Sequence, residues 1–155
     1  MSASNRSVGA PPAPWRRGFS LWGPPAGYAL AIFASSSLSA APSPPLHLTD
    51  KHVHLLAYAG FALVLVRALS GGCWAGVTPA TALQAAMMTI AYGATDEWHQ
   101  SFVPGRDADV RDLIADAVGA ALAVAVVGAM ARWGRRGQRA DSTIEPAAGR
   151  IGHAP

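Results

Sequence analysis

Four apolar stretches separated by short polar breaks organise this chain. The first runs from about Pro24 to Leu38 (PPAGYALAIFASSSL) and the second from His52 to Leu69. The third runs from Thr78-Pro79 to about Gln100, and the fourth from around Asp107–Asp109 to about Trp133. At roughly 18–24 residues the later three exceed the usual strand, and alanine dominates them, so the pattern predicts helices. The breaks carry the matching end signals. Ser70-Gly71-Gly72 reads as a helix stop, and Thr78-Pro79 as an N-cap followed by proline at the first helical position. Asp107 and Asp109 suit a helix start, and Arg132, Arg135 and Arg136 its end. The first segment is short for a membrane span unless Leu21 and Trp22 extend it as an interfacial anchor. Residues 1–20 and 135–155 lack apolar periodicity, which predicts disordered cytoplasmic tails around a domain at 21–134.

Composition turns four apolar helices into four expected membrane spans. Hydrophobic residues make up 51% of the chain and charged residues only 14%, well below the quarter or so usual in soluble domains. The net charge of +3 does not indicate nucleic acid, because the arginines cluster at the ends of apolar stretches rather than along a shared face. The single cysteine, Cys73, excludes an intramolecular disulfide and a thiolate metal cluster. Arg6, Arg16 and Arg17 precede the first segment, Arg67 closes the second, and Arg132, Arg135, Arg136 and Arg139 come after the fourth. With four spans these groups share one side, predicted to be the cytoplasm, with both termini inside. A secretory signal peptide based on Arg16-Arg17 and cleaved near Ala40 or Ala41 is the competing reading. The three segments beyond that point, however, are themselves membrane-like. Trp22, Trp98 and Trp133 read as interfacial anchors and Met87-Met88 as packing.

The opposite side receives loops 39–51 and 101–109, and most of the chemically capable residues adjoin them. Lys51, His54 and Tyr58 fall on one face of the second helix, and Tyr92, Asp96, His99 and Gln100 on one face of the third. Asp109, Asp112 and Asp116 form a stripe on the fourth, continued by Gly119 and Ala123. Lipid would not cheaply tolerate Asp96 or Asp116, so these carboxylates are expected to face inward, paired with Lys51, His54, Arg106 or Arg111, or protonated. Small residues on the aspartate stripe let a neighbouring helix approach closely. An ion-paired plug holding the helix ends together would explain the same pattern. Arg106, after Pro104-Gly105, could simply stitch the third helix to the fourth.

Three chemistries fit these residues. Asp96-x-x-His99 has the spacing of a carboxylate–histidine metal pair, but di-iron bundles need two copies of it. Asp109, Asp112 and Asp116 are spaced like the aspartates with which membrane prenyltransferases hold Mg²⁺ and a diphosphate, although those enzymes carry a second such motif. His54 or His99 beside Asp96 or Glu97 could act as a general base. The serines at 35–37 could be nucleophiles, but serines near a helix end more often bond the backbone.

The sequence DEWHQSFVPGRDADVRDLIADAVGA resembles the signature of the VanZ-like family, in which Asp-Glu-x-His-Gln precedes a Phe-x-Pro-Gly-Arg turn and an aspartate-bearing helix. DKHVHLLAYAGFAL is similar to the family's Asp-Lys-x-x-His-x-x-x-Tyr element, and the serines at 35–37 fit as well. Asp116 stands where asparagine is commoner. The resemblance covers about residues 24–130 and implies an all-α, integral-membrane four-helix bundle. It also implies a link to glycopeptide (teicoplanin) resistance, without supplying a reaction. The expectation is therefore a multi-pass protein of the bacterial inner membrane with a polar pocket on its extracytoplasmic face. Its partners would be the lipid bilayer and a cell-wall precursor or lipid carrier, contacted by Lys51, Tyr58, Gln100 and Arg106. The alternative is a metal-dependent hydrolase or transferase acting on a phosphorylated polyprenyl or peptidoglycan-related substrate. Its catalytic candidates are His54, Asp96, Glu97 and His99, and its candidate ligands for a divalent metal are Asp96, His99, Asp109, Asp112 and Asp116. A proton-coupled transporter has little room in four helices.

Overall fold

The computed structural model describes residues 13–39 and 49–144, with side chains in the last helix described as far as 137. These residues form four helices, α1 (Pro14–Ser36), α2 (Asp50–Leu69), α3 (Pro79–Gln100) and α4 (Val110–Ile144), with a single 3₁₀ turn at Trp74–Gly76 and no strand among them. Helix α4 packs most extensively on α2 and then on α3, while α1 lies against α2 and touches α3 less.

Local chemistry sets the helix ends. His52 Nδ1 accepts the Thr49 N–H at 3.2 Å at the start of α2. At the start of α3, Thr78 Oγ1 accepts the Thr81 N–H (3.1 Å) while Thr81 Oγ1 accepts the Thr78 N–H (2.9 Å), so two donors that the helix cannot satisfy are satisfied reciprocally. Asp109 precedes α4 and its Oδ1 accepts the Arg111 N–H at 2.8 Å. The stop after α2 uses Gly71 and Gly72 at φ 69° and 85°, a region that costs other residues energy.

The outer two helices are longer than the apolar pattern indicates. Helix α1 begins at Pro14 and passes through Pro24 and Pro25, so the expected tail over 1–20 loses its last seven positions to helix. Proline inside a helix removes one backbone donor and orphans the carbonyl four residues earlier. For Pro24 that carbonyl belongs to Ser20, and Arg67 Nη1 donates to it at 3.3 Å. The lost donor is thus replaced from α2. Helix α4 continues past Trp133 to Ile144, so the expected tail over 135–155 is also helical in its first ten residues. The remaining parts of both tails, with Arg6 among them, and most of the loop at 39–51 lie outside the described residues.

The interior is built of small and polar residues more than large ones. Ala62, Ala85, Ala120, Thr89 and Asp116 are fully buried, whereas Leu30, Leu56, Leu83, Met87, Ile114, Leu122, Val126 and Met130 are exposed. Phe61, Leu65, Val66 and Val77 supply the larger apolar contacts. Two close approaches depend on missing side chains. A Cβ at Gly119 would collide with the Leu55 carbonyl oxygen, and one at Gly93 would lie 2.7 Å from Asp116 Oδ2. Helices α2 and α4 meet at Gly119 at backbone distance, and at Gly93 the Asp116 side chain of α4 packs directly on the α3 backbone. Two of the four helices, Asp50–Leu69 and the Val110–Gly137 part of α4, are long and apolar enough to cross a membrane.

Candidate functional site

The end of α1, the start of α2, the end of α3 and the start of α4 converge, and they bring their polar side chains into one cluster. Within it two arrangements lie side by side, one neutral and one ionic.

The neutral arrangement surrounds Asp96, which is 4% exposed. Its Oδ1 accepts from Ser36 Oγ at 2.6 Å, and its Oδ2 accepts from Tyr58 OH and Gln100 Nε2, each at 3.1 Å. Three uncharged donors from three helices therefore hold this carboxylate. Of the triplet, Ser36 reaches Asp96, and its Oγ also lies 3.1 Å from the Phe33 carbonyl of its own helix. Ser37 Oγ donates to Phe33 O at 2.7 Å, as such serines usually do, and Ser35 is exposed. Tyr92, on the same face of α3, donates to Ala29 O at 2.6 Å, adding a second tie from α3 to α1.

The ionic arrangement runs from the surface inward along α4. Lys51 Nζ, partly exposed, lies 2.8 Å from Asp109 Oδ2 and 2.6 Å from Asp112 Oδ1. Outside the helices, Lys51 beside Asp109 holds that carboxyl below its ordinary value, with the Arg111 backbone N–H adding to the effect. One turn deeper, His54 Nδ1 is 3.0 Å from Asp116 Oδ1. Glu97 Oε2 accepts the Asp109 backbone N–H at 2.9 Å, tying α3 to the start of α4. Three buried carboxylate oxygens have no hydrogen-bond partner, Glu97 Oε1, Asp112 Oδ1 and Asp116 Oδ2, and of these Asp112 Oδ1 has the Lys51 ammonium against it at 2.6 Å.

The structure separates the residues that spacing alone groups together. Asp96 and His99 do not act as a pair. Asp96 turns to its neutral donors, whereas the His99 ring packs on Phe33 of α1 with centroids 4.5 Å apart, leaving Nδ1 buried and unpartnered. The donor groups that come within 4.8 Å of one another are Asp50–His54–Asp112 and His54–Glu97–Asp116. Among the described residues neither contains Asp96, His99 or Asp109, so the expected ligand set is not assembled as one centre. The physical reason is that helical spacing fixes a face, while neighbouring helices decide which side chain on that face meets which.

Arg106 sits in the turn after α3, half-buried, with Nε lacking a partner and no carboxylate within 4.0 Å among the described residues. The turn itself needs Gly105, whose φ is 80° and whose Cβ would lie 2.8 Å from the Ser39 carbonyl oxygen. The Ser36–Asp96 bond, Gly93 and the Glu97–Asp109 backbone link are the parts of the site that the sequence reading did not single out. The glycine three positions before Asp96 and four before Glu97 was the available signal. A separate cavity of about 290 Å³ opens at the other end of the bundle, lined by Val77, Pro79, Val124, Arg132 and Arg135 among others.

A family model described as VanZ/LLP1 matches residues 19–131, well over half of the chain. No curated protein and no solved structure matches it.

Proposed function

Since the chain belongs to the VanZ/LLP1 family, we propose that it is a multi-pass inner-membrane protein whose polar end binds the anionic head group of a cell-wall precursor or lipid carrier. The chain crosses the bilayer four times with both termini in the cytoplasm. The inside-out distribution of side chains supports insertion, since exposed leucines and methionines around a small, polar interior suit lipid better than water. Charge supports the orientation. Among residues 13–137, Arg17, Arg67, Arg132 and Arg135 gather at one end and every Asp and Glu at the other.

The observation that carries the binding reading is Arg106. A half-buried guanidinium with an unpartnered Nε and no carboxylate beside it is a prepared anion contact. Lys51, partly exposed on the rim, is already held by Asp109 and Asp112. A polyprenyl phosphate at the outer leaflet presents the matching charge on a membrane-bound tail. Interference with glycopeptide action, teicoplanin included, would result from occupying such a precursor. The test is binding of polyprenyl phosphate to the purified protein in nanodiscs. Arg106→Ala should remove it while leaving the fold intact, and equal binding by wild type and variant refutes the reading.

A metal-dependent hydrolase or transferase on the same substrate class is the second reading. His54, Glu97 and Asp116 favour it, because they place an imidazole and two carboxylates together at the same end of the bundle.

A further inference from the structure

The geometry points to a divalent-cation site formed by His54 of α2, Glu97 of α3 and Asp116 of α4. This trio keeps Asp116 from the ligands that the spacing singles out and joins it to His54 and Glu97 in place of the others, and three observations carry it.

The first is convergence. One ligand atom from each residue lies within 4.8 Å of the other two, and the residues are 7%, 8% and 0% exposed. Small side-chain rotations bring such a spread to metal–ligand bonds of about 2.0–2.2 Å.

The second is lack of satisfaction. Glu97 Oε1 and Asp116 Oδ2 are buried acceptors with no donor, although the surrounding polar end satisfies Asp96 on both oxygens. Buried acceptors left open beside a carboxylate satisfied on both oxygens indicate something that the protein chain does not itself supply. The missing side chain at Gly93 makes room for Asp116 Oδ2 itself, which a Cβ there would approach to 2.7 Å.

The third is charge. His54 is the cationic group nearest these two carboxylates, since Lys51 is engaged by Asp109 and Asp112. One imidazolium cannot neutralise two buried carboxylates. A divalent cation with a neutral imidazole neutralises both and supplies the missing partners together. The other donor group, Asp50–His54–Asp112, lacks this deficit, because Asp50 is exposed and Lys51 stands 2.6 Å from Asp112. One nitrogen and two carboxylate ligands suit a first-row ion such as Zn²⁺ or Mn²⁺ better than Mg²⁺ or Ca²⁺, which prefer oxygen alone.

The experiment uses full-length protein in detergent, freed of any purification tag, stripped with chelator and titrated with Zn²⁺ and Mn²⁺. Wild type should bind about one ion per chain and unfold at higher temperature when loaded. Glu97→Gln and Asp116→Asn should each weaken binding by roughly tenfold or more, and Asp50→Asn should leave it unchanged. If a variant does not fold, wild type alone still answers. Pulsed electron paramagnetic resonance of bound Mn²⁺ should show a directly coupled imidazole nitrogen. The inference is overturned if wild type binds no ion saturably, if Glu97→Gln and Asp116→Asn bind as it does, or if no nitrogen coupling appears. The site rests on the polar end being a ligand site, but the titration uses metal alone. Protein that binds metal and ignores polyprenyl phosphate therefore refutes only the function proposed above, and the reverse result refutes only the metal site.

Discussion

The Ser36 hydroxyl donates to Asp96 Oδ1 at 2.6 Å, joining the last residue of α1 to a buried carboxylate of α3 sixty positions later. Helix α1 is the least embedded of the four, so this bond and Tyr92–Ala29 hold its end against the site. Ser36→Ala should lower stability by about 1–3 kcal/mol, the cost of leaving a buried acceptor short of a donor. Ser37→Ala, which loses only a bond to its own helix, should stay within about 0.5 kcal/mol. Thermal unfolding of both variants in detergent checks the contrast.

The close helix approaches give a graded series. At Gly93 an added methyl would press on Asp116 Oδ2 and Tyr58, and at Gly119 on the Leu55 backbone. Gly93→Ala and Gly119→Ala should each cost about 1–3 kcal/mol as overpacked positions. Gly128, on the same helix as Gly119, has no atom within 4 Å of a built Cβ. Gly128→Ala should be neutral or stabilising by up to about 1 kcal/mol through helix propensity. Equal effects at all three would show that the helices do not pack at these points.

Arg67 and Pro24 should be coupled. Arg67→Ala removes the donor to the Ser20 carbonyl and should cost about 0.5–1.5 kcal/mol, the usual net worth of one hydrogen bond. In a Pro24→Ala background the new backbone N–H serves that carbonyl, and the same substitution should cost little. A double-mutant cycle reads the difference directly, and additivity of the two changes would refute the account.

Asp109 makes a pH prediction with a definite sign. Its carboxyl is held below the ordinary value by Lys51. A depressed folded-state value contributes stability that is fully present above the unfolded value and is lost as pH falls through the folded one. The difference in unfolding temperature between wild type and Asp109→Asn should therefore be constant from neutral pH down to about 4 and close only below it. The Lys51–Asp109 pair is partly exposed, so high salt should shrink the difference throughout. A gap that closes between pH 5 and 7 would contradict the assignment.

Topology has a built-in reporter. Cys73, the single cysteine and exposed, comes just after α2 at the arginine-rich end. A membrane-impermeant maleimide should label it only in opened cells, whereas Asp107→Cys in a Cys73→Ser background should be labelled from outside. The opposite pattern would invert the proposed orientation.

The order of apolar and polar positions determined where helices form and which residues gather at one end. Thr78-Pro79, Ser70-Gly71-Gly72 and Asp109 act on backbone groups within one turn, and such local signals are readable in any single chain. The spacing of Lys51, His54 and Tyr58, or of Asp112 and Asp116, likewise fixed their common face and depth. Tertiary structure decided partnership. Only the packed bundle turns Asp96 toward Ser36 and Tyr58, sends His99 to Phe33, and brings Glu97 beside His54 and Asp116. It also decided that α1 runs through Pro24-Pro25, since the carbonyl orphaned there finds its donor on another helix. The physical reason is that the rotation of each helix about its axis is set by contacts across the bundle, at Gly93 and Gly119 above all. No spacing within one helix encodes the identity of the side chain that will face it from the next.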